Sequence, residues 1–404
     1  MGHFAPTNLG ELREAVAGAL AAEEPVEVLG GGSKRGLGRP LQTPHTLDLS
    51  RLAGIRDYAP SELVLTAGAA TPLAEIERAL DEAEQMLAFE PPDWRGLFGT
   101  AETSPTLGGV LACNLSGPRR IKAGAARDHF LGFRAVSGRG EIFKAGGKVV
   151  KNVTGYDLCK LMAGSYGTLA ALEEVTVKVL PRPEAVATVL LAGVDPAAAV
   201  HLMAAALGSP HEVSGAAYLP ADTGIPDAPN GRAVALRVEG PAPSVAYRCE
   251  HLLREHSASA STHTLLDQNS IALWRAIGNA APFVGSPDRA VWRISIEPAR
   301  GAEVALAIAR ALDTLWFLDW GGGLLWVAVR ATGDAGAAAI RQAIRGPDGN
   351  ATGHATLLKA SPGLRRAIAV FEPQPAPLAA LSRRVKDAFD PAHILNPGRI
   401  VEGS

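Results

Sequence analysis

Glycine is concentrated in three separated clusters in the first half of this chain, and each cluster interrupts a regular pattern. Gly30-Gly31-Gly32-Ser33-Lys34-Arg35-Gly36 follows Val26-Glu27-Val28-Leu29, a run that reads as a strand. Ser104-Pro105-Thr106-Leu107-Gly108-Gly109 leads into Ala112-Cys113-Asn114-Leu115-Ser116-Gly117, with Gly124 and Arg127-Asp128 beyond. Lys151-Asn152-Val153-Thr154-Gly155-Tyr156-Asp157-Leu158 is followed by Gly164-Ser165-Tyr166-Gly167-Thr168-Leu169. Turns alone do not require so many glycines in three places. A chain built this way has to bring bare backbone close to something at several points.

The elements between the clusters are short and of both kinds. Asn8 and Glu11 form a capping pair ahead of Leu9, Leu12, Val16 and Leu20, which recur at helical spacing until Pro25. Strands are expected at 46–49 and 63–66, and a helix opens at Thr71-Pro72 with Leu73, Ile76 and Leu80 on one face. From 94 to 128 there is little periodicity, and a stretch that long is usually functional when ordered. Strands resume at 133–136, at 141–144 and along Val175, Val177 and Val179. Pro181-Arg182-Pro183 then marks a domain boundary.

Beyond it, 186–194, 197–207, 213–219, 233–238 and 244–255 read as β-α-β-β-α. After a poorly defined stretch the same order recurs over 291–296, 303–312, 316–319, 324–329 and 335–344. Two such runs predict ferredoxin-like halves sharing one antiparallel sheet, with no sequence repeat behind them. The expected fold class is α+β, with a first domain over 1–182, a cap over 183–365 and a C-terminal segment over 366–404. In that segment a helix over 378–389 leads to Asp390-Pro391-Ala392-His393-Ile394-Leu395-Asn396-Pro397-Gly398-Arg399, a fixed turn.

Charge and cysteine content narrow the partners. Lys and Arg total 39 against 41 Asp and Glu, so a net charge of -2 supplies no basic field for nucleic acid or a membrane surface. No apolar run approaches the ~20 residues of a membrane span and no signal segment opens the chain, so the cytoplasm is the expected compartment. Cys113, Cys159 and Cys249 are too few and too dispersed to hold an iron–sulfur cluster or a metal. His201, His211, His251, His256 and His263 also lack ligand spacing.

The loop 30–36 stands where phosphate loops stand, after a strand, with Ser33, Lys34 and Arg35 able to add a hydroxyl and positive charge. It carries neither G-x-G-x-x-G nor G-x-x-x-x-G-K-[ST], and alone it is an anion site or an ordinary tight turn. Together with the other clusters it suits a pyrophosphate lying extended between two subdomains.

The ordered set Gly-Gly-Gly-Ser (30–33), Pro-Thr-Leu-Gly-Gly (105–109), Lys-Asn-x-x-Gly-Tyr-Asp-Leu (151–158), Gly-Ser-x-Gly-Thr-Leu (164–169) and Asn-Pro-Gly-Arg (396–399) resembles the PCMH-type FAD-binding family. That is the vanillyl-alcohol oxidase fold, in its D-lactate and glycolate dehydrogenase branch. Within the branch the motifs most resemble the GlcE-type FAD-binding subunits of bacterial glycolate oxidase. The resemblance covers most of 1–182 and the end of the chain. It implies a PCMH-type domain of two α+β subdomains holding non-covalent FAD, since no histidine or cysteine stands where a covalent link would form.

The resemblance also assigns positions. Gly31, Gly32, Ser33, Lys34, Arg35 and Gly36 would wrap the FAD pyrophosphate. Pro105, Thr106, Gly108 and Gly109 would line the diphosphate and flavin, with Asn114 and Ser116 nearby. Gly124, Arg127 and Asp128 lie in a segment that touches cofactor in relatives. Gly167 and Leu172 would sit by the adenine, and Asn396 near the isoalloxazine. Lys34, Arg35 and Arg127 are otherwise solvated surface charges, and Tyr156 and Asp157 otherwise core and cap residues.

The departures bear on catalysis. Active dehydrogenase subunits of the branch carry His-x-Gly-Asp-Gly-Asn-x-His and further histidines beside the flavin, for metal binding or for taking the substrate hydroxyl proton. This chain lacks that run. Gly353-His354-Ala355-Thr356 is the nearest remnant, and His354, the sole catalytic candidate, reads as structural or flavin-lining before it reads as a ligand. The family's Gly-Ser-Glu-Gly has become Gly-Ser-Tyr-Gly at Tyr166. Trp274, Phe283, Trp292, Trp316, Trp320 and Trp326 read as core and interface packing.

The resemblance therefore implies the FAD-binding subunit of a glycolate (2-hydroxy acid) dehydrogenase complex. A catalytic flavoprotein subunit and an iron–sulfur subunit would supply the missing chemistry, and could hold the chain at the inner membrane. Two alternatives stand beside it. One is a stand-alone FAD-dependent 2-hydroxy-acid dehydrogenase of the D-lactate type, using His354 or a tyrosine as base. The other is a non-catalytic assembly subunit.

Overall fold

The computed structural model describes residues 2–147, 155–220, 223–225, 231–256, 260–346, 349 and 352–402. Its first layer is a parallel three-stranded sheet in the order Gly2–Phe4, His45–Asp48, Val26–Leu29. The helix Leu9–Ala22 packs against it. The Asn8 side chain accepts from the Glu11 amide at 3.0 Å, and the Glu11 carboxylate accepts from the Thr7 amide at 2.8 Å. Leu12 and Val16 from this helix join a core with Val26, Leu47, Ile394 and Leu395. The last two come from the far end of the chain. The Val26 amide donates to the Ile394 carbonyl at 2.8 Å, and the Asn396 amide donates to the Val26 carbonyl at 3.1 Å.

A five-stranded antiparallel sheet follows, in the order Ile55–Ala59, Val64–Gly68, Ala170–Lys178, Phe130–Ser137, Ile142–Gly146. Ile55–Ala59 is not legible in the sequence because Arg56 and Asp57 interrupt its apolar alternation, as an edge strand can tolerate. The stretch expected to lack regular structure contains four short helices, Arg95–Phe98, Leu107–Ala112, Arg120–Ala123 and Ala126–His129. Each is too short for a helical period to accumulate.

The third sheet has eight antiparallel strands. Their order is Ser261–Leu266, Ala185–Ala192, Ala233–Gly240, Gly215–Leu219, Thr314–Asp319, Leu324–Arg330, Arg289–Ser295, His354–Lys359. The two β-α-β-β-α runs lie side by side in it and meet at the pairing of Tyr218 with Leu318. Each half adds one outer strand, at Ser261–Leu266 and His354–Lys359. The first of these, with the helix Asp267–Gly278 behind it, occupies the poorly defined stretch, where Ser261, Thr262 and His263 are exposed and give no apolar signal.

Alternation along each strand divides the apolar residues between two cores. Val189 and Leu191 face the layer of cap helices, whereas Leu190 shares a core with Leu97, Phe89 and Val110 of the first half. Polar contacts reinforce that seam. Arg237 donates to Glu90 at 2.8 Å, Arg119 donates to Glu239 at 2.7 Å, and the Trp94 indole donates to the Gly278 carbonyl at 3.1 Å. Trp274, Trp292, Trp320 and Trp326 are all buried, in keeping with a packing role.

Candidate dinucleotide site

The loop after Val26–Leu29 is shaped by approaches that a side chain would block. A Cβ on Gly31 would lie 1.8 Å from the Ser104 carbonyl oxygen, and one on Gly108 would lie 2.6 Å from the Ala69 carbonyl oxygen. Gly32 adopts φ +77°, in the left-handed region. The Ser104 amide donates to the Gly31 carbonyl at 3.2 Å, so the first two clusters run alongside each other. Thr106 then caps Leu107–Ala112, its hydroxyl accepting from the Gly109 amide at 3.3 Å. Among the described residues, no main-chain carbonyl takes the amides of Gly31, Gly32 or Lys34. Such donors in a concave turn are what an anion requires.

Two arginines, Arg365 at the end of the cap and Arg399 from the C-terminal segment, hold the loop from behind. Arg399 donates to the carbonyls of Arg35 and Leu37 at 3.2 Å each, and to the Glu27 carboxylate at 3.0 Å. Arg365 donates to the carbonyls of Gly36 and Gly38 at 2.8 Å each. Asn396 ties the third cluster in: its Oδ1 accepts from the Val28 amide and its Nδ2 donates to the Tyr166 carbonyl, both at 2.8 Å. Only 3% of Asn396 is exposed, so its amide is committed to holding two walls together.

These segments line one cleft that opens to solvent. Gly31, Gly32, Ser33, Lys34 and Arg35 line it from the first loop, and Thr106, Gly108 and Gly109 from the second. Gly167, Leu172 and Asn396 line it from the third cluster and the C-terminal segment. Cys113, Tyr166 and Arg399 line it too, although the sequence assigns them no contact; only the Arg in the last motif hinted at one.

Lys34, Arg35 and Arg399 bring positive charge to the cleft; Arg35 and Arg399 share the Glu27 carboxylate, whereas among the described residues no carboxylate pairs with Lys34. The Lys34 ammonium donates to the Ser33 hydroxyl at 3.2 Å, and burial pushes it below the ordinary lysine value. Burial also lifts the Cys113 thiol to about 11 and raises the Tyr166 phenol, so both keep their protons at neutral pH. A multi-oxygen anion beside Lys34 would reverse the penalty on its charge. Open amides, bare approaches and the ammonium of Lys34 fit a dinucleotide diphosphate.

Other expected positions stand outside the lining. Gly36 faces Phe98, where a Cβ would lie 2.8 Å from the ring, and the Pro105 carbonyl accepts from the Leu73 amide. Asn114, Ser116, Gly124, Arg127 and Asp128 form a separate knot around the helix Ala126–His129. Asn114 accepts from the Arg127 amide at 3.1 Å, Ser116 from the Ala126 amide at 2.9 Å, and Asp128 from the Ala125 amide at 2.9 Å. Gly124 turns the chain into this knot at φ +91°.

His354 is exposed at the end of the outermost cap strand, opposite Ser295. Surrounding protein and the Arg293 charge push it below the ordinary imidazole value. Among the described residues no group of His, Cys, Asp and Glu is placed to hold a metal. Tyr156 is 91% exposed and not a core residue, whereas Asp157 caps Leu158–Met162 by accepting from the Lys160 amide. Lys151, Asn152, Val153 and Thr154 of the third motif lie outside the described residues.

Comparison with known proteins agrees with this geometry. Residues 2–146 match the FAD binding domain family, and residues 363–400 match the C-terminal domain of FAD linked oxidases. The chain is 36% identical over 389 residues to the glycolate oxidase subunit GlcE of Escherichia coli (strain K12), covering 96% of each. It is 32% identical over 178 residues to a D-lactate dehydrogenase of Archaeoglobus fulgidus, covering 44% of this chain and 38% of that one. The structure of p-cresol methylhydroxylase with substrate bound has a TM-score of 0.71 at 13% identity, covering 99% of this chain and 88% of that chain. At that identity the likeness establishes the shared α+β fold.

Proposed function

The chain belongs to the family of the glycolate oxidase subunit GlcE, and from that membership we propose that it is the FAD-binding subunit of a glycolate (2-hydroxy acid) dehydrogenase complex. It is an FAD-dependent oxidoreductase of the group that oxidises 2-hydroxy acids. A catalytic flavoprotein subunit and an iron–sulfur subunit would work beside it in turning glycolate into glyoxylate.

The observation that carries the reading is a nucleotide cradle that has, among the described residues, no base constellation beside it. In this reading the amides of Gly31, Gly32 and Lys34 and the Lys34 ammonium hold the diphosphate. Ser33 and Arg35 flank it, and Thr106, Gly108 and Gly109 give it close approach. Gly167 and Leu172 lie by the adenine, and Asn396 fixes the Tyr166 turn beside the flavin. The knot of Asn114, Ser116, Gly124, Arg127 and Asp128 supports the wall without touching the diphosphate. Residues 1–182 form the cofactor unit, 183–365 the cap, and 366–404 the segment that returns to clamp the loop. When bound, the FAD of this subunit would relay electrons or be structural, while the flavin of the catalytic subunit accepts the hydride from the hydroxyl carbon.

A stand-alone dehydrogenase is the second reading, with Tyr166 as base because its side chain lines the cleft. The raised phenol value opposes it, since a base must lose its proton near working pH. Purification with native partners, a flavin count per chain and an assay of each subunit alone test the assignment. Bound flavin here, with no turnover of glycolate by this chain alone, is the expected result. A colourless chain that stays colourless under excess FAD, or full turnover in isolation, overturns it. His354→Ala should leave turnover of the complex within about two-fold of wild type, because among the described residues its ring makes no hydrogen bond.

A further inference from the structure

At the seam between the two halves, the Trp320 indole is flanked by two guanidiniums. Arg120, from the short helix Arg120–Ala123, stands 4.3 Å from the ring centroid, and Arg293, from the cap strand Arg289–Ser295, stands 4.8 Å from it. The indole is itself fixed, donating to the Gly117 carbonyl at 3.1 Å. Enclosed arginines elsewhere in the chain have acceptors. Arg119 has Glu239, Arg237 has Glu90, Arg248 has the Glu239 carbonyl, Arg365 has the loop carbonyls and Arg399 has Glu27. Among the described residues, no carboxylate or carbonyl accepts from the side chain of Arg120 or Arg293.

Two like charges over one ring without a counter-ion are costly in an enclosed place. Burial and then the Arg120 charge push Arg293 down to about 10, and burial and then Arg127 lower Arg120. The Asp128 carboxylate acts on Arg120 but is paired with Arg127 at 3.8 Å, and the other neighbours do not neutralise the pair. Tyr166 and His354 act on Arg293 without carrying negative charge at neutral pH. Asp319, lifted to about 7 by burial, is only partly ionised and already accepts from the Trp320 amide at 2.7 Å. Glu372, near His354, is paired with Arg341 at 3.5 Å.

We propose that Arg120 and Arg293 together seat the carboxylate of a small organic acid at the Tyr166 side of the cleft. For the class of acid, a 2-hydroxy acid, the proposal rests on the function proposed above; for the anion site it rests on these side chains alone. Guanidiniums over an aromatic face with a phenolic donor beside them suit a small planar anion. The ring of Tyr166 packs 5.3 Å from that of Phe371, and Tyr166 and Arg293 lie within electrostatic reach of each other. Arg120 belongs to the cofactor half and Arg293 to the cap, so the bound carboxylate also bridges the seam.

Calorimetric titration of the whole chain, with and without added FAD, tests this. The probes are glycolate, oxalate, glycolamide and inorganic phosphate. Glycolate and oxalate should bind saturably, glycolamide should not, and phosphate should bind roughly ten-fold more weakly or worse. Arg293→Ala or Arg120→Ala should weaken glycolate by roughly ten-fold or more with flavin content unchanged, and Arg293→Lys should restore most of it. Arg293→Lys and Arg293→Met carry the test if Arg293→Ala does not fold. Affinity within about two-fold of wild type in Arg293→Ala or Arg293→Met, or no acid binding by the wild-type chain, overturns the proposal. Phosphate binding as tight as glycolate overturns the carboxylate assignment. Loss of flavin binding with acid binding intact would instead count against the cofactor role and leave this site standing.

Discussion

Arg399 donates to Glu27 at 3.0 Å across most of the length of the chain, joining the C-terminal segment to the strand that feeds the first glycine loop. Both residues are buried, and the other end of the same guanidinium holds the carbonyls of Arg35 and Leu37. One side chain therefore couples the backbone of the loop to a fixed charge beneath it.

Arg399→Ala should leave those carbonyls unsatisfied and Glu27 paired with Arg35 alone. The expected cost is about 3–5 kcal/mol of stability in urea unfolding, the range for breaking a buried pair. Flavin should wash out on gel filtration under conditions where the wild-type chain keeps it. Retention equal to wild type would mean that Arg365 alone shapes the loop.

Gly31→Ala should open the contact between the first two clusters, since the new carbon meets a backbone oxygen that cannot swing aside. A loss of about 1–3 kcal/mol is expected, together with loss of bound flavin. Gly18→Ala is the matched comparison, because Gly18 lies inside the first helix with open space around it. That change should stabilise the chain by about 0.5–1 kcal/mol and leave flavin content alone. Equal behaviour of the two variants would remove the steric argument.

Glu90→Gln should loosen the seam between the halves. Arg237 and Arg119 would lose a shared carboxylate, at a cost of about 3–5 kcal/mol. The neighbouring Glu239 is raised by burial but lowered further by Arg237 and Arg119, to about 2, and Glu90 is also held below the ordinary carboxylate value. Depressed values mean stability that is complete above the ordinary carboxylate range and lost as pH falls toward about 2. Urea midpoints measured down the acid limb should fall less steeply for Glu90→Gln than for wild type.

Asp319 has the opposite sign. Burial lifts its carboxyl from 3.8 to about 7, so the folded chain holds a proton there that the unfolded chain has released. Its contribution to stability therefore falls as pH rises from the ordinary aspartate value to about 7, and is constant above that. Asp319→Asn keeps an oxygen for the Trp320 amide and removes the charge. Near neutral pH and above it should be more stable than wild type by a few kcal/mol, with the difference vanishing toward about pH 4. A pH-independent difference in urea unfolding would show that the carboxyl stays ionised.

The glycine clusters and the final Asn-Pro-Gly-Arg were legible because bare backbone leaves a compositional mark. The paired β-α-β-β-α runs were legible because their strands and helices keep apolar periods. What was not legible is long-range and depends on single side chains. Nothing near Arg120 or Arg293 in the sequence announces that they share Trp320, since the three come from different elements. The same holds for Arg399 and Arg365, whose acceptors are carbonyls and carry no residue signature. Asn114 and Asp128 spend oxygens on neighbouring amides, which spacing alone does not reveal.

The pairing of Val26 with Leu395 has a consequence for biosynthesis. The strand entering the first glycine loop pairs early with His45–Asp48, but its other edge is met only after residues 394–399 have left the ribosome. Nascent polypeptide halted anywhere in the cap would have its early sheet strands and no finished nucleotide pocket. Flavin loading should therefore wait for residues 394–399, and a product truncated within the cap should be recovered colourless.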